Sequence, residues 1–317
     1  MSKRIIKIDA SALVQSSCNL RFKYIVLDGY GDKEIYNDTL YGSAFHKFIA
    51  TVFETNGDLN LAINAALEKF REPCKVRDRK SHLTELHLTK TCLDYWNHFR
   101  KTDNFEVFTA NGKPMVEVDF AVPLYEDDTT IVLGEGTIDK LGKIKNGVNC
   151  IGDYKTHSLW SVSKNGNPLV EIQPFLKQFE ASPQLRFYVL MVKKLGQQNP
   201  NSIWSEIASS PIGAFIDGVF IHSQNPTMFA RSEVFLFSEK DILNFEIQLN
   251  HKIVTIVGLS KRSEYNFPDG IIQGSCNEMK FPCKFLPVCM AKDEAVKKLI
   301  LRNNYKQSEY NPLLFSK

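Results

Sequence analysis

Two aspartates and a lysine carry the clearest chemistry in this chain. Asp139 closes the segment Gly134-Glu135-Gly136-Thr137-Ile138-Asp139, and Asp153 and Lys155 stand two residues apart in Ile151-Gly152-Asp153-Tyr154-Lys155. Further on, Gln184-Leu185-Arg186-Phe187-Tyr188 sets an amide and a phenol four residues apart, on one face of a helix. Carboxylates suit hard divalent cations such as Mg²⁺ or Mn²⁺. Such an ion meets two needs of phosphodiester cleavage, because it neutralises the anion and delivers a hydroxide equivalent near neutral pH. Along a strand, residues 153 and 155 share a side. The Lys155 ammonium would therefore sit beside the attacking water, orienting it, lowering its pKa or stabilising charge on the phosphorane. Asp-x-Lys alone is common on protein surfaces. The apolar lead-in at Val148 and Ile151, and the second acid in Gly-x-Ile-Asp form, give it weight.

Positioning these groups falls to elements whose periodicity is readable. Residues 41–55 place Ala44, Phe45, Phe48, Ile49 and Val52 on one helical face, and helices are expected also within 9–29, 60–72 and 81–102. The period then changes to two. Met115–Pro123, Thr130–Leu141 and Val148–Tyr154 are expected strands, the last two joined by a polar turn at 142–147 with a hairpin-type Asn146-Gly147 pair. A hairpin of this length brings Asp139 and Asp153 to one rim of a sheet. Ser182 and Pro183 mark a helix start, and that helix should run to about Lys194. Strands at Ile212–His222 and Ser232–Phe237, then helices at Glu239–Gly258 and Lys292–Asn303, complete the order. The expected fold is α/β, a central mixed sheet flanked by helices, with a helical N-terminal region and no repeat or clear domain boundary.

A histidine stands on the 41–55 helix, in Tyr41-Gly42-Ser43-Ala44-Phe45-His46. With it, these motifs resemble the PD-(D/E)XK nuclease superfamily in its RecB/Cas4-like branch. The resemblance spans Cys18 to Cys289 and is strongest between 134 and 188. It implies a restriction-endonuclease-like core at about 36–260 within a single domain over 1–317. It implies a metal site of His46, Asp139, Asp153 and the Tyr154 carbonyl, with Lys155 at the water and Gln184 and Tyr188 supporting the site and positioning DNA. The implied activity is Mg²⁺- or Mn²⁺-dependent DNA hydrolysis, exonucleolytic on single strands or ends, in recombination, repair or phage replication. A Gly-x-x-x-x-Gly-Lys-Ser/Thr loop is absent, so the chain would work alone or beside a separate helicase or recombination protein.

Seven cysteines, an odd count spread over the chain, argue against a secreted disulfide framework. Cys276, Cys283 and Cys289 crowd together as Cys-x6-Cys-x5-Cys, a pattern that in a reducing compartment more often means metal than disulfide. Cys18 is the best candidate for a fourth thiolate. The resemblance implies a [4Fe-4S] cluster on these four, one ahead of the core and three behind it; four cysteines also suit zinc. Cys74, Cys92 and Cys150 read as ordinary buried or surface residues.

The chain has 317 residues and a net charge of +3, so any nucleic-acid surface must be a local patch. No apolar run approaches the ~20 residues that span a bilayer. No apolar stretch follows the basic start in the manner of a signal peptide. The expected location is the cytoplasm, that of the host if the gene is a phage's. Lys69, Arg71, Lys75, Arg77, Arg79 and Lys80 form a basic run that reads as a backbone-binding patch or a solvated loop. Trp160 and Phe175 suit base stacking or core packing, and the loop His157–Lys164 would shape the strand entrance. Glu117 and Glu135 are expected on strands near the site, as solvent-facing residues or as supporting or second-metal carboxylates. Two other functions stay open: a non-catalytic DNA-binding or scaffold subunit that keeps the fold, and a redox or zinc-stabilised adaptor.

Overall fold

The structure is a computed structural model that describes residues 3–77, 81–100, 103–145, 147–158, 169–222, 227–261, 276 and 282–315. Its main strands are β1 (Arg4–Ile8), β2 (Phe105–Val107), β3 (Val116–Glu126), β4 (Thr130–Ile144), β5 (Asn149–Ser158), β6 (Ile212–Ile221), β7 (Met228–Arg231) and β8 (Phe235–Leu236). Its longer helices are α1 (Asn37–Glu54), α2 (Leu59–Phe70), α3 (Glu85–Arg100), α4 (Leu169–Lys177), α5 (Pro183–Gln198), α6 (Glu239–Ser260) and α7 (Glu294–Asn304). The chain divides into two compact units. One comprises Met1–Lys33, Phe120–Gly136 and Leu243–Phe315, the other Glu34–Asp119 and Thr137–Ile242.

The second unit is a mixed sheet flanked by helices, as expected. β4 and β5 run antiparallel, β5 and β6 parallel, and β6 and β7 antiparallel. Every residue of β6 is buried, as befits a strand covered on both faces. On one face, α1 presents Tyr41, Ala44, Phe45, Phe48, Ile49 and Val52 to a core shared with Tyr154 of β5 and with Val219 and Ile221 of β6. α5 serves the opposite face. Its start is fixed as the sequence suggests, with Ser182 accepting from the Gln184 N–H and Pro183 in the first turn.

Three departures from the expected boundaries have a visible cause in the pairing. β4 continues to Ile144, because the Ile144 N–H closes directly onto the Val148 carbonyl at 2.9 Å; Asn146 lies outside the described residues. β5 runs on to Ser158, because β6 offers it a ladder as far as Ser158 opposite Ile221. The expected strand 232–237 shortens to β8, and β7, which was not expected, precedes it; between them the Ser232 hydroxyl accepts from the Ile216 N–H.

In the first unit, β1 pairs in parallel with Thr130–Gly134 of β4, a strand that the basic N-terminal segment did not advertise. The expected amphipathic helix within 9–29 is broken into Ala10–Gln15 and Asn19–Phe22 followed by a π turn at Lys23–Leu27. Tyr24, Phe285, Val288, Leu301 and Tyr305 form an aromatic-rich core there, with the Phe285 and Tyr305 rings stacked at 4.7 Å. Among the described residues no helix is long and apolar enough to cross a membrane.

Candidate active site

The site lies where two strands part. The β4–β5 ladder runs from Lys143–Asn149 to Lys140–Gly152 and stops there. The next residues along each strand are Asp139 and Asp153. In place of a ladder bond, the Tyr154 N–H donates to Asp139 Oδ2 at 2.6 Å. Beyond this point β5 pairs only with β6, and α1 closes over the gap. Gly42 makes that approach possible, since a Cβ there would stand 3.1 Å from Thr156 Oγ1. One turn further along α1, His46 packs edge-on against the Tyr154 ring and faces two carboxylates. Its Nδ1 is 3.5 Å from Asp139 Oδ1 and 3.4 Å from Glu117 Oε1.

On the other face of β5, Asp153 is 1% exposed and engaged from two sides. Gln184 Nε2 donates to its Oδ1 at 2.9 Å, and Lys155 Nζ stands 2.7 Å from its Oδ2. Gln184 Nε2 also reaches the Tyr188 hydroxyl at 3.1 Å, so the amide is fixed by its helical neighbour four residues on. Glu117 and Asp139 face the imidazole, while Asp153, paired with the Lys155 ammonium, lies outside that group of ligand atoms within 4.8 Å; together they set three carboxylates against one ammonium. This is an excess of negative charge that a divalent cation would balance.

The protonation behaviour follows from that crowding. Burial pushes the Asp153 carboxyl up to about 6, with Asp139 adding to the effect and Lys155 opposing it. Burial would raise Asp139 as well, but His46 and then Lys155 hold it below its ordinary value. Burial alone would lower His46; the Asp139 carboxylate, followed by Glu117, instead holds it well above the usual imidazole range. Lys155 is raised because Asp153 and Asp139 outweigh its desolvation.

A second charged cluster lies on the Tyr154 side of β5. Lys140, 2% exposed, is 2.6 Å from Asp217 Oδ2, and Arg231 grips both Asp217 oxygens at 2.6 and 2.8 Å. Tyr95 donates to Asp217 at 3.0 Å, and Arg231 also meets Asp103 at 2.6 Å. Two cations and two carboxylates balance. Gly152 leaves the room for this, since a Cβ there would lie 2.3 Å from Lys140 Cε.

Of the residues expected at the site, His46, Asp139, Asp153, Tyr154, Lys155, Gln184 and Tyr188 are all joined by the contacts above. Of the two readings of Glu117, the solvent-facing one does not hold: it joins His46 and Asp139 in a group whose ligand atoms lie within 4.8 Å of one another. The Val-Glu-Val-Asp alternation gave no hint of this, because it breaks at Glu117, whose φ is +45°. Glu135 is likewise not solvent-facing. It is 4% exposed and lies 3.7 Å from Lys7 within the first unit. The basic run is largely neutralised, with Lys69, Arg71, Lys75 and Arg77 paired to Glu72, Glu85, Glu34 and Asp38. Arg79 and Lys80 lie outside the described residues, as do Trp160 and most of the 157–164 loop. The Phe175 ring packs on His157, Phe179 and Phe220.

The cysteines of the first unit are not part of this group. Cys283 and Cys289 pack against the aromatic core that Leu20, two residues past Cys18, also joins. The Cys283 N–H donates to the Cys276 carbonyl at 2.7 Å, and buried Cys18 caps the Asn19–Phe22 helix. Among the described residues, no three of these thiols approach as closely as His46, Glu117 and Asp139 do. Cys92 and Cys150 are buried and Cys74 exposed.

A family model described as the PD-(D/E)XK nuclease superfamily matches residues 14–245, a span that contains the whole site. Among solved structures, a protein from Eubacterium rectale designated a candidate exonuclease is 12% identical, with 80% of this chain and 81% of that one covered and a TM-score of 0.39. Another, SSO0001, is 13% identical, with coverage of 71% and 78% and a TM-score of 0.23. A search of curated proteins finds no match.

Proposed function

The chain belongs to the PD-(D/E)XK nuclease superfamily, and from that premise we propose that it is a metal-dependent deoxyribonuclease of the RecB/Cas4-like branch. The observation that carries the reading is the convergence, at the β4–β5 parting, of His46 and Asp139 with the Asp153–Lys155 pair. The donor set fits Mg²⁺ or Mn²⁺, since carboxylate oxygens with one imidazole are hard to intermediate ligands. His46, Asp139, Asp153 and the Tyr154 carbonyl would hold the ion. When bound, it would neutralise the scissile phosphate and acidify the attacking water. Lys155, held by Asp153, would present its ammonium to that water. Gln184 fixes the Asp153 carboxylate, and Tyr188 fixes Gln184.

The substrate in this reading is DNA, cut exonucleolytically at single strands or ends, in recombination, repair or phage replication beside a helicase or recombination protein in the cytoplasm. The whole chain acts as one nuclease domain with its core at about 36–260. Cys18, Cys276, Cys283 and Cys289 would hold a [4Fe-4S] cluster, a reading supported by the packing of Leu20, Cys283 and Cys289 on one aromatic core. The visible absorbance of anaerobically purified protein tests the cluster.

The activity is tested by digesting 5′- and 3′-labelled single and double strands with Mg²⁺ or Mn²⁺. Wild type should cut, and Asp153→Ala and Lys155→Ala should not. Equal cleavage by wild type and Asp153→Ala would refute the assignment.

A further inference from the structure

Glu117 stands at the site in a backbone conformation that ordinary strand residues avoid. Its φ of +45° lies in the left-handed region, where an L-residue's Cβ crowds the backbone and glycine is favoured. The consequence shows along β3. Val116 is buried, Glu117 and Val118 are both half-buried, and Asp119 is exposed before alternation resumes at buried Phe120. The kink swings the Glu117 carboxylate to 3.4 Å from His46 Nδ1, a nitrogen that Asp139 approaches to 3.5 Å. One ring nitrogen carries one proton or one lone pair, so it cannot hydrogen-bond well to both carboxylates. Two carboxylates and an imidazole nitrogen gathered within 4.8 Å instead match ligands arranged around a shared cation.

We propose that Glu117 is a further side-chain ligand of the divalent ion at this site, and that its left-handed backbone serves to aim it there. This rests on the metal-nuclease reading above. The test is Mn²⁺ titration by calorimetry on the full-length protein, with thermal midpoints measured in chelator. Glu117→Gln should weaken Mn²⁺ binding roughly tenfold or more. Glu117→Gly should weaken it similarly, yet melt no lower than wild type without metal, because glycine adopts this φ freely. Asp139→Asn serves as the control for the parent reading. If Glu117→Gln binds Mn²⁺ like wild type while Asp139→Asn does not, the Glu117 inference falls and the metal site stands. If Glu117→Gly loses both metal and thermal stability, the residue is a structural strut and the inference falls. If wild type binds no Mn²⁺, the parent reading falls with it.

Discussion

The buried Lys140–Asp217–Arg231 cluster allows a quantitative prediction. Asp217 is fully buried, and burial would raise its pKa, but Lys140 and Arg231 outweigh that and bring it to about 2 from an ordinary 3.8. At about 1.4 kcal/mol per pH unit, neutralising this carboxylate costs about 2 kcal/mol. Asparagine imitates the neutral carboxyl, so Asp217→Asn should lose at least that much. Leaving Lys140 buried without its counter-ion raises the figure toward roughly 3–5 kcal/mol. Lys140→Met should cost less, because Asp217 keeps both Arg231 contacts and the Tyr95 hydroxyl. Urea denaturation of wild type, both single variants and the double variant closes a thermodynamic cycle. The double variant should lose clearly less than the two single losses combined. The sign with pH follows. A lowered carboxylate pKa contributes stability above the unfolded value near 3.8, and that contribution drains away on acidification toward about 2. Asp217→Asn should abolish this part of the acid profile. A loss below about 1 kcal/mol, or an additive cycle, would show that the cluster is not a coupled ion network.

Gly152→Ala should destabilise the protein by about 1–3 kcal/mol through overpacking, since the new Cβ would meet Lys140 Cε at 2.3 Å and Phe215 Cζ at 2.7 Å; an unchanged thermal midpoint would contradict that geometry. Gln184→Ala strips Asp153 of its amide donor. It should lower nuclease activity roughly 10–100-fold while leaving circular dichroism unchanged, and undiminished cleavage would count against a supporting role. Ser182→Ala removes the cap of α5 and should cost about 1 kcal/mol in chemical denaturation.

Local periodicity was enough to place α1 with His46 beside its apolar face, the strands bearing Asp139 and Asp153, and the capped start of α5. In each case the signal lies within a few residues: helical spacing from Ala44 to Val52, the apolar lead-in at Val148 and Ile151, a serine before a proline. The reach of β5 to Ser158 was not legible, because its ladder partner β6 lies more than fifty residues away in sequence. Local pattern also left open which of its two readings each glutamate would follow. Whether Glu135 meets water or Lys7 depends on a parallel strand from the chain's start. Whether Glu117 points outward or toward His46 depends on one left-handed residue that no alternation rule anticipates.

Residue types and spacing determined which side chains are equipped for phosphodiester chemistry and which elements carry them, since those are properties of short stretches. Tertiary structure alone decided which charges meet. A buried carboxylate is stable only beside its counter-charge, and for Asp217 those partners are Lys140, 77 residues away in sequence on β4, and Arg231, directly opposite on β7.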